Sequence, residues 1–111
     1  MRAYNELDLN VKMIKDRIEI SVEVPGLNRD DIDIMVFGNL FRIVAKYPEF
    51  TDNDRFLLKE IRRNGTVERE FRLDQPVDTG KISAELKGDG ILRITLPLTR
   101  EEKKIINIRE V

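Results

Sequence analysis

Ile18-Glu19-Ile20-Ser21-Val22-Glu23-Val24-Pro25-Gly26 is the stretch from which the fold is read. Ile18, Ile20, Val22 and Val24 alternate with Glu19, Ser21 and Glu23, the period of a strand with one face in a core and the other in water. Pro25-Gly26 ends it, since proline cannot donate to a ladder and glycine accepts the backbone angles of a turn. The same period recurs on both sides. Upstream, Val11 and Met13 alternate with polar neighbours, and Lys15 continues the spacing. Downstream, Ile32, Ile34 and Val36 alternate with Asp33, Met35 and Phe37. Gly38-Asn39 is a two-residue turn, after which Phe41, Ile43 and Ala45 oppose Leu40, Arg42 and Val44. Both faces of this hairpin carry apolar groups, so one face is assigned to the core and the other to a contact.

Further on, Val67, Arg69, Phe71 and Leu73 restart the spacing, and Ile82, Ala84 and Leu86 repeat it. Gly88-Asp89-Gly90 turns the chain, and Leu92, Ile94 and Leu96 make a last strand. Spacing of about ten residues with turns between predicts an all-β, immunoglobulin-like β-sandwich. The one helical feature expected is a brief turn over residues 28–32.

At 111 residues the chain has room for one domain with a modest core. Its 20 basic and 21 acidic residues nearly cancel, so no basic excess argues for nucleic acid, and no Lys/Arg patch is interleaved with aromatics. Apolar runs fall far short of the ~18 residues of a membrane span. The N-terminus lacks the apolar run of a secretory signal, and cysteine is absent, so a cytoplasmic protein without disulfides is expected. Histidine is absent too. The commonest general base, the nucleophilic thiol and the soft metal ligands are therefore missing.

The remaining polar clusters read as local structure. Asp30-Asp31-Asp33 follows a turn and is solvated. Asp52-Asn53-Asp54 opens like a calcium loop but lacks the glycine and glutamate that such a loop needs further on. Asn64-Gly65-Thr66 matches a glycosylation sequon, yet Asn-Gly is first a tight-turn signal. Gly88-Asp89-Gly90 has no following Lys-Ser/Thr to hold a phosphate. No catalytic, metal or cofactor site is expected, and the chain is read as a non-enzyme.

Two segments do not fit a plain sandwich. Residues 47–65 form a long irregular connection, the kind that tends to be functional, with a short apolar segment at Phe56 to Ile61 inside it. After Pro97 comes a charged hinge (Arg100, Glu101, Glu102, Lys103, Lys104) and then Ile105-Ile106-Asn107-Ile108. A charged tail should be solvated, yet this one ends in side chains that avoid water. In extended geometry Ile106 and Ile108 point the same way. They form a two-pronged plug for a groove on this chain or on a copy of it. The chain thus divides into a short arm (1–8), a sandwich domain (9–97) and a C-terminal extension (98–111).

These residues carry a family resemblance. Val24-Pro25-Gly26-Leu27 followed by Asp30-Asp31-Ile32 resembles the "LPG…eDI" turn of the α-crystallin (Hsp20) domain of small heat shock proteins. Phe71-Arg72-Leu73 resembles that domain's "F-x-L-P" strand, and Ala84 through Gly90-Ile91-Leu92 its Ala…G-V-L signature. Ile106-Asn107-Ile108 matches the family's C-terminal I-x-I motif in form and place. The likeness runs from about Leu9 to Ile108. It departs in three places. Asp74 and Gln75 precede Pro76 where the family has proline directly, and the Ala84-to-Gly90 segment is one residue longer than the common spacing. Only Met1 to Asp8 precedes the first strand, where the family carries a long apolar arm implicated in client capture and large-cage assembly, and the resemblance leaves both of those roles open for this chain.

The resemblance implies a job for each odd segment. Ile106 and Ile108 would plug a groove of a neighbouring subunit walled by Ile34, Val36, Ile82 and Ala84, with Ala84 making room by being small. The alternative is a tail folded back on its own domain. The long loop would lend a strand to the edge of a dimer partner, with Phe56, Leu57, Leu58 and Ile61 supplying apolar contacts and Lys59, Glu60 and Arg62 ionic ones. Otherwise it packs over its own sheet. The implied function is ATP-independent holding of unfolding proteins, without cofactor. The implied partners are further copies of the chain, as a dimer and a higher oligomer, and unfolded or partly folded clients. Nucleic acid, membrane and small-molecule substrates are not expected. A co-chaperone-type adaptor binding one folded partner, or a structural accessory protein, could be built on the same sandwich.

Overall fold

A computed structural model describes residues 6–61, 63–99 and 106–111. Residues 1–5 of the arm, Arg62 of the expected lent segment, the hinge from Arg100 to Lys104, and Ile105 lie outside the described residues. The described chain forms β1 (Leu9–Ile14), β2 (Arg17–Glu23), β3 (Ile32–Phe37), β4 (Leu40–Lys46), β5 (Thr66–Arg72), β6 (Ser83–Leu86) and β7 (Ile91–Pro97). Single 3-10 turns occupy Arg29–Asp31 and Thr79–Lys81. All pairings are antiparallel, in a four-stranded sheet of order β1-β2-β7-β6 and a three-stranded sheet of order β3-β4-β5.

Alternation places the core. Ile18, Ile20 and Val22 of β2 pair with Leu96, Ile94 and Leu92 of β7, and all six are buried. From the other sheet, β4 presents Phe41, Ile43 and Ala45, each fully buried. Phe41 meets Phe71 of β5 with ring centroids 5.1 Å apart and planes tilted by 35°, a cross-strand aromatic contact within the favoured centroid range. Central strands β2, β7 and β4 thus carry the strictest alternation because they have a neighbour on each side and a sheet above. No charged or polar residue is buried among the described residues.

Two turns depend on glycine. Gly38, at φ +57, occupies the first central position of the β3–β4 hairpin, where the twist of the strands requires a positive φ. Gly90, at φ +76, lies so close to the 25–27 turn that an added Cβ would sit 3.1 Å from Pro25 Cα. The Gly90 carbonyl accepts from Val24 N–H at 2.8 Å, so the Pro25-Gly26 turn and the Gly88–Gly90 turn are locked together.

Four positions differ from the sequence expectation. Val11 and Met13 do lie in β1, opposite buried Ile20 and Ile18, yet they are 46% and 48% exposed. Their face is the inner one, but the three-stranded sheet does not reach far enough to cover it. Lys15 does not continue the strand; it takes φ +54 in the β1–β2 turn. Leu7, assigned to the arm, is fully buried in the core.

The contrast between Val11 and Ile94 is testable. Ile94→Ala in central β7 is expected to cost about 2–5 kcal/mol in denaturant unfolding, and Val11→Ala only about 0.5 kcal/mol or less. Equal losses would mean that β1 is as enclosed as β7. A second test concerns Asp89, which accepts from Ile91 N–H at 3.1 Å and pairs with Arg93 at 2.8 Å. The Arg93 guanidinium, helped by the Ile91 amide, holds the Asp89 carboxyl below its ordinary value. A depressed folded-state value gives stability that is present at neutral pH and lost as pH falls below about 4. Asp89→Asn should therefore melt below the parent at neutral pH, with the gap narrowing as pH falls and the carboxylate takes up its proton. A gap that is constant with pH would exclude the ion pair as its source.

Candidate interaction site

At one side of the sandwich the edge strands β3 and β6 belong to different sheets, and neither is bridged to the other among the described residues. Between them opens an apolar groove of about 720 Å³. Its walls are Ile32 and Ile34 from β3 and Ala84 and Leu86 from β6, with Leu27 at one end and buried Leu92 in the floor. Arg29, Asp30 and Lys87 stand at the rim. Two features shape it locally. The 3-10 turn Arg29–Asp31, capped by Asn28 N–H to Asp31 Oδ2 at 2.9 Å, brings Asn28, Arg29 and Asp30 into the groove lining. The side chain of exposed Ala84 is a single methyl, so the wall beside Leu86 is recessed.

Of the four expected wall residues, Ile34 and Ala84 line this groove. Val36 and Ile82 are half-buried against the core and lie outside the lining. Ile32, Leu86 and Leu27 take their place, so the groove sits one alternation step nearer the Pro25-Gly26 turn. Ile32 belongs to the same periodic set as Ile34, and Leu86 to the same set as Ala84. The signal for both was therefore present; which members face each other was not.

The plug residues are far from buried. Ile106 is 78% exposed and Ile108 95% exposed, so neither rests in the chain's own groove. In the long loop, Leu57, Leu58 and Ile61 are likewise exposed and Phe56 partly so, and no strand forms between Phe56 and Ile61. Lys59 and Glu60 are exposed beside them. The loop does not cover its own sheet with these side chains. Its internal order is local: Phe50 and Phe56 meet edge to face at 5.2 Å, and Lys59 Nζ stands 4.7 Å from the Phe50 ring and 5.2 Å from the Phe56 ring. At the root, Tyr47 N–H donates to Gly65 O at 2.9 Å and Phe50 N–H to Asn64 Oδ1 at 2.7 Å. Burial pushes the Tyr47 hydroxyl up, against the opposing pull of the Arg63 guanidinium.

Chemically the site offers no acid–base pair and no metal cluster among the described residues. What it offers is an apolar groove, an exposed two-isoleucine segment and an exposed apolar loop. No helix among the described residues is long and apolar enough to cross a membrane.

Comparison with known proteins agrees with this architecture. The chain is 33% identical over 93 residues to the 18 kDa heat shock protein of Clostridium acetobutylicum, covering 80% of this chain and 60% of that protein. It is 32% identical over 88 residues to 18 kDa antigen 2 of Mycobacterium avium, covering 79% and 62%. The chain spans about three fifths of the length of these relatives. Among solved structures, heat shock protein 16.0 of Schizosaccharomyces pombe superposes with a TM-score of 0.70 at 24% identity, over 94% of this chain and 98% of that one. Residues 10–110 match the Hsp20/alpha crystallin family. With two antiparallel sheets packed as a sandwich and a match over nearly its whole length, the chain belongs to the Hsp20/alpha crystallin family of small heat shock proteins.

Proposed function

We propose that the protein is an ATP-independent holdase that assembles through its own exposed segments and keeps unfolding proteins soluble. The observation that carries this reading is a match within one chain. Along β3, Ile32 and Ile34 are two residues apart, as are Ala84 and Leu86 along β6, a repeat of about 6.6 Å. Ile106 and Ile108 have the same repeat and are exposed. A neighbour's tail laid along the groove would therefore seat both isoleucines at once. Each is worth roughly 1.5–3 kcal/mol before ordering costs. One such contact is weak, and several in a closed assembly hold together while still exchanging.

The loop supports a second contact. Among the described residues β1 has one paired edge, to β2, and no strand pairs its other edge along Leu9–Ile14. Residues 56–61 match β1 in length, and a partner's segment paired there would cover Val11 and Met13. Such a lent strand satisfies an edge that would otherwise invite aggregation. Clients fit the same surfaces: partly unfolded chains expose apolar strands that can occupy an edge or groove when a tail or loop has left it. The dense, balanced surface charge would keep the loaded complex dispersed.

The tests are solution mass by light scattering and suppression of a test protein's aggregation without nucleotide. The parent is expected well above dimer mass, with Ile106→Ala/Ile108→Ala falling to a dimer. Ala84→Phe, which fills the groove from an exposed position, should melt within about 2 °C of the parent yet show the same fall in mass. Parent and variants that all run as dimers would remove the tail from assembly. Unchanged client aggregation in the presence of the parent would exclude the holdase.

A further inference from the structure

The root of the long loop is tied to a part of the chain that no assembly contact requires. Arg63, just before the Asn64-Gly65 turn, is only 21% exposed at its side chain, unlike the exposed loop residues before it. Its Nη2 donates to Asp8 Oδ2 at 3.3 Å, across 55 positions of sequence. Its guanidinium carbon lies 5.8 Å from the centre of the Tyr47 ring, at the other side of the loop root. The segment that carries Asp8 is itself held. Leu7 is fully buried, its carbonyl accepts from Arg69 Nη1 at 3.0 Å, and the Asp8 carbonyl accepts from Glu23 N–H at 2.9 Å. Arg63 therefore touches, in one place, the lead-in to β1 and both sides of the loop that ends at β5.

We infer that Arg63 is a positioning residue: through Asp8 it clasps the root of the 47–65 loop to the Leu7–Asp8 lead-in, and so sets the direction in which the apolar segment 56–61 leaves the domain. The physical reason is leverage. The root is otherwise closed by Tyr47 N–H to Gly65 O at 2.9 Å, Gly65 N–H to Pro48 O at 3.3 Å and Phe50 N–H to Asn64 Oδ1 at 2.7 Å. These bonds close the loop on itself and none of them reaches the Leu7–Asp8 lead-in, whereas a planar guanidinium held between the Asp8 carboxylate and the Tyr47 ring restrains the loop root against it. Motion at Leu7–Asp8 then reaches the loop. The chain ahead of β1 and the segment that the proposed dimer needs become coupled, and this last consequence rests on the strand-lending reading above.

The clasp is tested by amide exchange on the full chain, with Arg63→Ala, Arg63→Lys, Asp8→Asn and the double variant Asp8→Asn/Arg63→Ala. Exchange at the Tyr47 and Gly65 amides should quicken about three- to tenfold in Arg63→Ala, while Ile20 and Ile94 in the core are unchanged. Asp8→Asn should quicken the same two amides, though it lies far away in sequence. The double variant should be no faster than Arg63→Ala, and Arg63→Lys should recover part of the protection. Unaltered Tyr47 and Gly65 exchange in either single variant, or additive effects in the double, would overturn the inference. Loss of core protection along with the loop would also overturn it, since Arg63 would then be a stability residue only. Solution mass separates the two readings. Quickened root exchange with an unchanged dimer supports the clasp and removes strand lending; slow exchange with a weakened dimer does the reverse.

Discussion

A sheet of three strands cannot cover a sheet of four, and most of what distinguishes this protein follows from that mismatch. The strands β2, β7 and β4 are paired along both edges, carry a sheet over their inner face, and hold the fold together. The strands at the margins are not. β1 reaches past the smaller sheet and leaves Val11 and Met13 in water, although they sit on the inner face. On the other side, β3 and β6 face each other without a strand between them, and a groove opens down to Leu92. Unpaired edges and exposed inner faces are liabilities in an isolated domain. In the assembly proposed above, each has a counterpart elsewhere in the same chain.

The counterparts are the two segments that no part of the core retains. Phe56 to Ile61 and Ile106 to Ile108 expose apolar side chains at the ends of highly charged stretches, an arrangement that makes little sense for a monomer in water. Each is a short apolar segment outside both sheets, which gains little alone and, once extended, can pair with an edge or a two-walled groove. In the proposed holdase, reversible self-contact and capture of partly unfolded chains would therefore draw on the same physics. A surface that accepts a neighbour's strand also accepts a stranger's, and the balance between them is set by concentration and by how much ordering each contact demands.

Much of the fold was legible because period-2 alternation is a local property. Ile18 to Val24 and Leu92 to Leu96 announce their faces, and Pro25-Gly26, Gly38-Asn39 and Gly88–Gly90 announce the turns between them. The departures share one cause. Lys15 keeps the alternating spacing but lies in a turn, since spacing alone does not say where a hairpin reverses. Leu7 precedes the first strand yet fills the core, and nothing about one leucine in a polar stretch marks it as buried. Val36 and Ile82 had the right period for a groove wall, and Ile32 and Leu86 had it equally.

The sequence by itself thus determined which residues form strands, which side of each strand is apolar, and the two-residue repeat of the tail's isoleucines. Each of these depends on neighbours within a few positions. Only the tertiary structure decided which strands lack a covering partner, which pair of residues faces which across the groove, and that Arg63 and Asp8 meet. Those outcomes depend on sheet width, twist and the relative placement of segments far apart in the chain. Alternation specifies a face, not what lies opposite it.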